Sequence, residues 1–102
     1  MAINQQLVGT SATTIFTAAS ESATTSIFFM NNNAAARVIQ VYVVPNGSSA
    51  AVTTQIIKDL TLDPADTYII NSEKLILAAG DTIQCTASHA SSIYATVSFV
   101  VI

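Results

Sequence analysis

The chain has 102 residues and a net charge of −3, length enough for one core and too few cations for a nucleic-acid surface. Only 9% is charged against 51% hydrophobic, where a free-standing domain carries about 25% charge, so much of the surface is expected to be covered by other subunits. Arg37, Lys58 and Lys74 are the only basic residues, no apolar run nears the roughly 20 residues of a membrane span, and Cys85 has no second cysteine to pair with.

The opening, MAINQQLVGT, lacks the basic start and apolar centre of a secretory leader, so synthesis and use in a cytoplasm are expected. Residues 1–12 read as an N-terminal arm or first strand, with strand pattern near Gln6–Val8, and residues 13–102 as one β-domain. A strand at Thr13–Thr17 follows. TAASESATT has room for one helical turn, but Ser and Thr favour caps and loops, and no helix is strongly supported anywhere. In TTSIFFM, Phe28 and Phe29 point to opposite faces of a strand, one into the core and one toward an interface.

NNNAAA then reads as a short hairpin loop, because Asn tolerates left-handed backbone and bonds its own chain. It leads into RVIQVYVV, where Val38, Gln40, Tyr42 and Val44 oppose Ile39, Val41 and Val43. Both sides are largely apolar, which suits a central strand or one with a face in an interface. Pro45-Asn46-Gly47 ends it in a turn. Short strands are expected at Thr53–Lys58, Thr67–Ile70, Leu75–Leu77 and Thr82–Thr86. The closing SIYATVSFVVI sets Ile93, Ala95, Val97, Phe99 and Val101 against Tyr94, Thr96 and Ser98. Val100 and Ile102 interrupt the polar side, so both faces are expected to be covered there. About eight or nine short strands separated by turn signals predict a single antiparallel β-sandwich, jelly-roll-like.

One phrase occurs twice. LTLDPADT (60–67) and LILAAGDT (75–82) both read Leu, any, Leu, three turn formers, Asp, Thr. Leucines two apart share the inward face of a strand. Pro64 fixes φ, Gly80 permits φ above zero, and Asp66 or Asp81 can accept from backbone amides. Two such corners would send a strand across a sandwich and bring it back.

No residue pattern demands chemistry. Cys85 and His89 lie four apart, but no further Cys or His completes a metal set, and a zinc site would need carboxylates for the rest. Cys85 is in phase with Ile83 on an inward face, and His89 sits in the loop SHASS, so neither is expected to be catalytic. Asp59, Asp63 and Asp66 lack the spacing of a calcium loop; turn formation and a surface pair with Lys58 explain them. The acids are too few, and too often at turns, for a glycosidase pair. A sugar platform would have only Tyr42, Tyr68 and Tyr94, without any Trp. No catalytic, cofactor-binding or metal-binding residue is assigned.

The order TTIFTA, SIFFMNNNAAARVIQVYVVPNG, IIKDLTLDPADTYII, EKLILAAGDTIQCTAS and a closing alternating strand resembles small virion structural proteins of tailed bacteriophages, over Thr13 to Ile102. The resemblance implies a non-enzymatic role as a head decoration (cement) protein stabilising the capsid lattice. The alternative is a tail or fibre component with loops that bind a host glycan or receptor. It further implies a virion location after synthesis in the host cytoplasm, and a homotrimer contacting the major capsid protein or other virion proteins. No nucleic acid, membrane or cofactor is expected, and no functional residue carries over. From the residues themselves, the interface is expected at Ala2, Ile3, Asn4, Gln5, Gln6 and Leu7, together with Tyr42, Val100 and Ile102. An amide-rich arm can add its backbone to a neighbouring sheet edge.

Overall fold

The computed structural model describes residues 2–72 and 74–102. Among the described residues nine strands form two antiparallel sheets: β1 (Ala2–Val8), β2 (Thr13–Thr17), β3 (Ser22–Asn31), β4 (Arg37–Val44), β5 (Gln55–Leu62), β6 (Thr67–Ile70), β7 (Ile76–Leu77), β8 (Thr82–Ala87) and β9 (Ile93–Val101). The front sheet runs β1-β9-β3-β6, with β7 also on β3, and the back sheet runs β2-β8-β4-β5. The chain is thus an antiparallel β-sandwich. Its pairs are nested, β4 with β5, β3 with β6 and β7, β2 with β8, β1 with β9, as when one long hairpin is rolled up into a jelly roll. Met1, where the expected arm begins, lies outside the described residues; the rest of the segment supplies β1, paired along its length with β9.

Period-two patterning explains the core. Ile27 and Phe29 of β3, Ile93, Ala95 and Val97 of β9, Ile39 and Val41 of β4, and Ile83 and Cys85 of β8 are all buried between the sheets. Phe16 of β2 meets Phe99 of β9 with ring centroids 4.5 Å apart and tilted, closing the core where the sheets approach. β4 is central, as its two apolar faces suggest, hydrogen-bonded to β5 on one side and β8 on the other. The strand expected from Thr53 begins two residues later, because Val52–Thr54 form a short 3-10 turn in which Thr54 Oγ1 accepts from the Ala51 amide. No helix among the described residues is long and apolar enough to cross a membrane.

The NNNAAA hairpin is not formed. β3 lies in the front sheet and β4 in the back, so residues 32–36 cross between sheets. The reason is occupancy: both edges of β3 are taken, one by β9 and the other by β6 and β7, leaving β4 none to pair with. Asn31 makes the crossing instead. Its side chain is buried, and Nδ2 donates to the carbonyls of Ala35, Leu62 and Asp63 at 3.0, 3.1 and 3.2 Å. Oδ1 accepts from the Asn33 amide, and the Asn31 backbone N–H donates to Asp66. The buried Ser92 completes this corner by accepting from Arg37 Nε at 3.0 Å.

Both copies of the repeated phrase are corners between sheets. In each, the first leucine is half-buried and the second buried, Leu60 then Leu62, Leu75 then Leu77. The Asp66 amide donates to the Asp63 carbonyl and the Asp81 amide to the Ala78 carbonyl, both at 3.1 Å, closing four-residue turns. The third turn position has positive φ in each, 60° at Ala65 and 89° at Gly80, the mark of a type II turn. The first corner carries the chain from back sheet to front, the second from front to back. Each is braced by another crossover: the Asp66 carbonyl receives the Asn31 amide, and Gly80 and Asp81 exchange backbone bonds with Ala18. Asp81 also accepts from the amides of Ala78 and Asn46, tying the β4–β5 loop to the second corner.

Two predictions come from these corners. A Cβ on Gly80 would stand 2.6 Å from the Asn46 side chain at a backbone angle that L-residues avoid, so Gly80→Ala should cost about 2 kcal/mol or more. Ala65→Gly, at the same point of the other copy, should stabilise by up to about 1 kcal/mol. Urea unfolding of the pair should show opposite signs. Asn31→Ala strands three carbonyls and should lower stability by about 3 kcal/mol, read from the shift of the urea midpoint.

Candidate functional site

Strand register places outward side chains of the front sheet in rows. One row runs Leu7, Tyr94, Met30, Thr67, and the next Gln5, Thr96, Phe28, Ile69. A third begins Ile3, Ser98, Ser26. The rows follow directly from alternation: Ala95, Phe29 and Val97 point inward, so their neighbours point out. Leu7, Phe28, Met30, Ile69 and Tyr94 are each between 36% and 45% exposed, although strongly apolar. All but Ile69 line a shallow depression of about 580 Å³ bounded by Gln5, Thr67 and Thr96, and Ile69 pairs with Phe28 beside it. None of the residues in these rows carries a charge.

The back sheet presents a different outer face. Tyr42 Oη donates to Gln40 Oε1 at 2.9 Å, and Gln55 Nε2 donates to Tyr42 Oη. Gln40 also accepts from Thr86 and donates to Asp59, while Gln84 donates to Thr82. Amides and hydroxyls here satisfy one another in a ladder across three strands. Most of the exposed large apolar side chains on strands lie in the front sheet; Ile56 of β5, 48% exposed, stands in the back sheet.

The expected interface residues are divided by this arrangement. Ile3, Gln5 and Leu7 lie on the apolar front face, and Val100 alternates onto the same side beyond the end of β1. Asn4 turns the other way: Nδ2 donates at 2.5 Å to the carbonyl of Ile15, the residue bulged out of the β2–β8 ladder. Gln6 donates to the Leu7 carbonyl. Ala2 enters through its backbone pairing opposite Phe99. Ile102, 65% exposed, is tied by its amide to the Glu21 carbonyl. Tyr42 stands on the opposite sheet, inside the polar ladder, away from the others.

Phe28 is the outward member of its phenylalanine pair and Phe29 the buried one. Met30 and Ile69 complete the patch without a sequence signal for contact, together with Tyr94, which the sequence offered only as a candidate for a sugar platform. Their alternation with buried neighbours was readable in the sequence, but the register that aligns them across strands was not. The tyrosines do not converge: Tyr94 is on the front face, Tyr42 on the back, and Tyr68 lines a groove of about 420 Å³ with Ile56, Ile57 and Ile70 between β5 and β6.

No family model, curated protein or solved structure matches the chain. The side chains that the sequence offers for chemistry stand in separate surroundings. Cys85 is sealed in the core, and burial pushes its thiol up from 9.0 to about 12. His89 is exposed, with Nδ1 beside Ser88 Oγ at 3.1 Å. Asp59 accepts from Gln40, and Asp66 accepts from the Thr67 amide within its turn. Among the described residues, no three of His, Cys, Asp and Glu gather into a metal-holding group.

The thiol has a measurable signature. Its folded pKa lies above the unfolded value, so its contribution to stability is complete below about pH 9 and is lost as pH rises toward about 12. Wild type should lose stability over that window at up to about 1.4 kcal/mol per pH unit more than Cys85→Ala, which itself should cost about 1 to 2 kcal/mol at neutral pH. The native thiol should resist a thiol reagent at pH 8 and react on unfolding. Rapid native labelling would contradict the sealed core.

Proposed function

We propose that this chain is a non-catalytic virion structural protein, a capsid decoration subunit of the tailed-bacteriophage type, that attaches to its particle through the outer face of the front sheet. The observation that carries the attachment is the uncharged apolar patch of Leu7, Phe28, Met30, Ile69 and Tyr94, set against a back sheet whose outer face is polar and internally bonded. Exposed contiguous apolar surface of this kind marks contact sites, and here it sits on rigid strands. The low charge of the whole chain supports the same reading, as does the resemblance described above. Partner contacts are then with the major capsid protein or another virion protein. Many copies around a particle would add avidity to a modest single interface.

The reading has a direct test. Phe28→Glu places a charge in the middle of the patch at a partly exposed position, so it should fold with less than about 1 kcal/mol of loss and fail to bind purified particles. His89→Ala should bind normally. Release of wild-type protein should stay low as sodium chloride rises from about 0.05 to about 1 M, since screening acts on charges. Normal binding of folded Phe28→Glu, or release by salt, would replace apolar attachment with another mode.

A further inference from the structure

The sandwich has four sides where strands lack a neighbour: β1 and β6 with β7 in the front sheet, β2 and β5 in the back. Three of them are guarded in the ways that stop edges from pairing. β2 is broken by the bulge at Ile15, whose carbonyl Asn4 occupies. β5 shifts register twice against β4 and carries Lys58. β6 has only four residues and β7 two. β1 has no bulge, charge or truncation of this kind; one of its carbonyls, that of Leu7, accepts from Gln6 of the same strand. It is seven residues, AINQQLV, without charge or proline, paired to β9 with no register shift. Along its outer side, the N–H and C=O groups of every second residue meet no other strand among the described residues.

We propose that β1 pairs antiparallel with β1 of a second copy, about a two-fold axis through Gln5, an assembly that differs from the homotrimer the resemblance implies. The residue types of β1 read the same in both directions: apolar, apolar, amide, amide, amide, apolar, apolar. In the register centred on Gln5 all seven residues are paired. Ala2 opposes Val8, Ile3 opposes Leu7, Asn4 opposes Gln6, and Gln5 opposes its own copy. Apolar therefore meets apolar and amide meets amide, as an isologous contact requires. The register also preserves parity, so whichever alternate set of backbone groups faces outward meets the matching set of the partner.

Size is sufficient. Seven residues make an edge roughly 24 Å long, on a body whose shortest extent is 21 Å. With the back sheet's edge beside it included, that flank offers at most roughly 500 Å² per partner, about 1,000 Å² in total, where specific interfaces begin. The pairing joins two front sheets and brings their apolar faces side by side. It stands on the backbone edge of β1 and not on the attachment proposed for the face.

Sedimentation from about 1 to about 200 µM should show a monomer–dimer equilibrium, as suits an interface near the lower size limit. Gln5→Lys sets two ammonium groups opposite each other on the axis and should weaken dimerisation at least roughly tenfold, with melting unchanged at concentrations where the wild type is monomeric. Gln5→Cys should give a disulfide-linked dimer under mild oxidation, while Thr96→Cys, on the neighbouring strand opposite Gln5, should not. Buried Cys85 will not interfere. A monomer throughout, a trimer, an unweakened Gln5→Lys dimer, or a Gln5→Cys chain that does not cross-link would each overturn the pairing. Phe28→Glu failing on particles while Gln5→Lys alone disrupts the dimer would separate the two sites.

Discussion

A buried amide governs one end of this sandwich. Asn31 closes β3 and is shared by two crossings, the one leaving β3 for β4 and the one arriving from β5 for β6. Three carbonyls approach its Nδ2, which has two hydrogens, so one bond is shared and the geometry leaves no slack. Backbone turning between sheets exposes carbonyls that no ladder can pair, and burial makes each costly if unmet. Asparagine is uncharged, short, and both donor and acceptor, which is what such a site needs. The same logic recurs at the β2 bulge, where Asn4 serves the Ile15 carbonyl. Among the described residues no buried side-chain nitrogen or oxygen lacks a partner.

The fold was largely legible because its strands are short, alternating and well separated by turn residues. Thr13–Thr17, Arg37–Val44 and Thr67–Ile70 stand where the pattern placed them. The repeated phrase was legible as geometry, since two leucines, a turn and an aspartate have one physical use between sheets. The NNNAAA segment misled because local chemistry favours a hairpin there equally well. What excluded it was a non-local fact, that β9, β6 and β7 had already filled both sides of β3. Propensity cannot see competition for an edge.

The candidate surface was only half legible for a related reason. Single strands revealed which residues point out, such as Phe28 beside buried Phe29. They could not reveal that Leu7, Tyr94 and Met30 stand in one row, because those residues come from strands far apart in the chain. Tyr42 stands on an apolar strand, and its hydroxyl joins a ladder with Gln40 and Gln55 on the back sheet, away from the front-sheet patch. A surface made of amides and hydroxyls can be fully bonded without charge, so low charge alone did not say which face is sticky.

The nested pairing has a consequence in time. β1 leaves the ribosome well ahead of β9, the strand it pairs with among the described residues, which follows roughly 90 residues later, some 5 to 20 s at ordinary synthesis rates. Until then β1 has no strand to pair with, and its pairing closes a loop running from Val8 to Ile93. Loop-closure entropy therefore favours the innermost pair, β4 with β5, over β1 with β9. The strand with the least guarded edge has the longest loop to close. In a crowded cell making many copies, nascent chains meet each other before they are finished, and β1 with its open edge is exposed to such encounters throughout that interval.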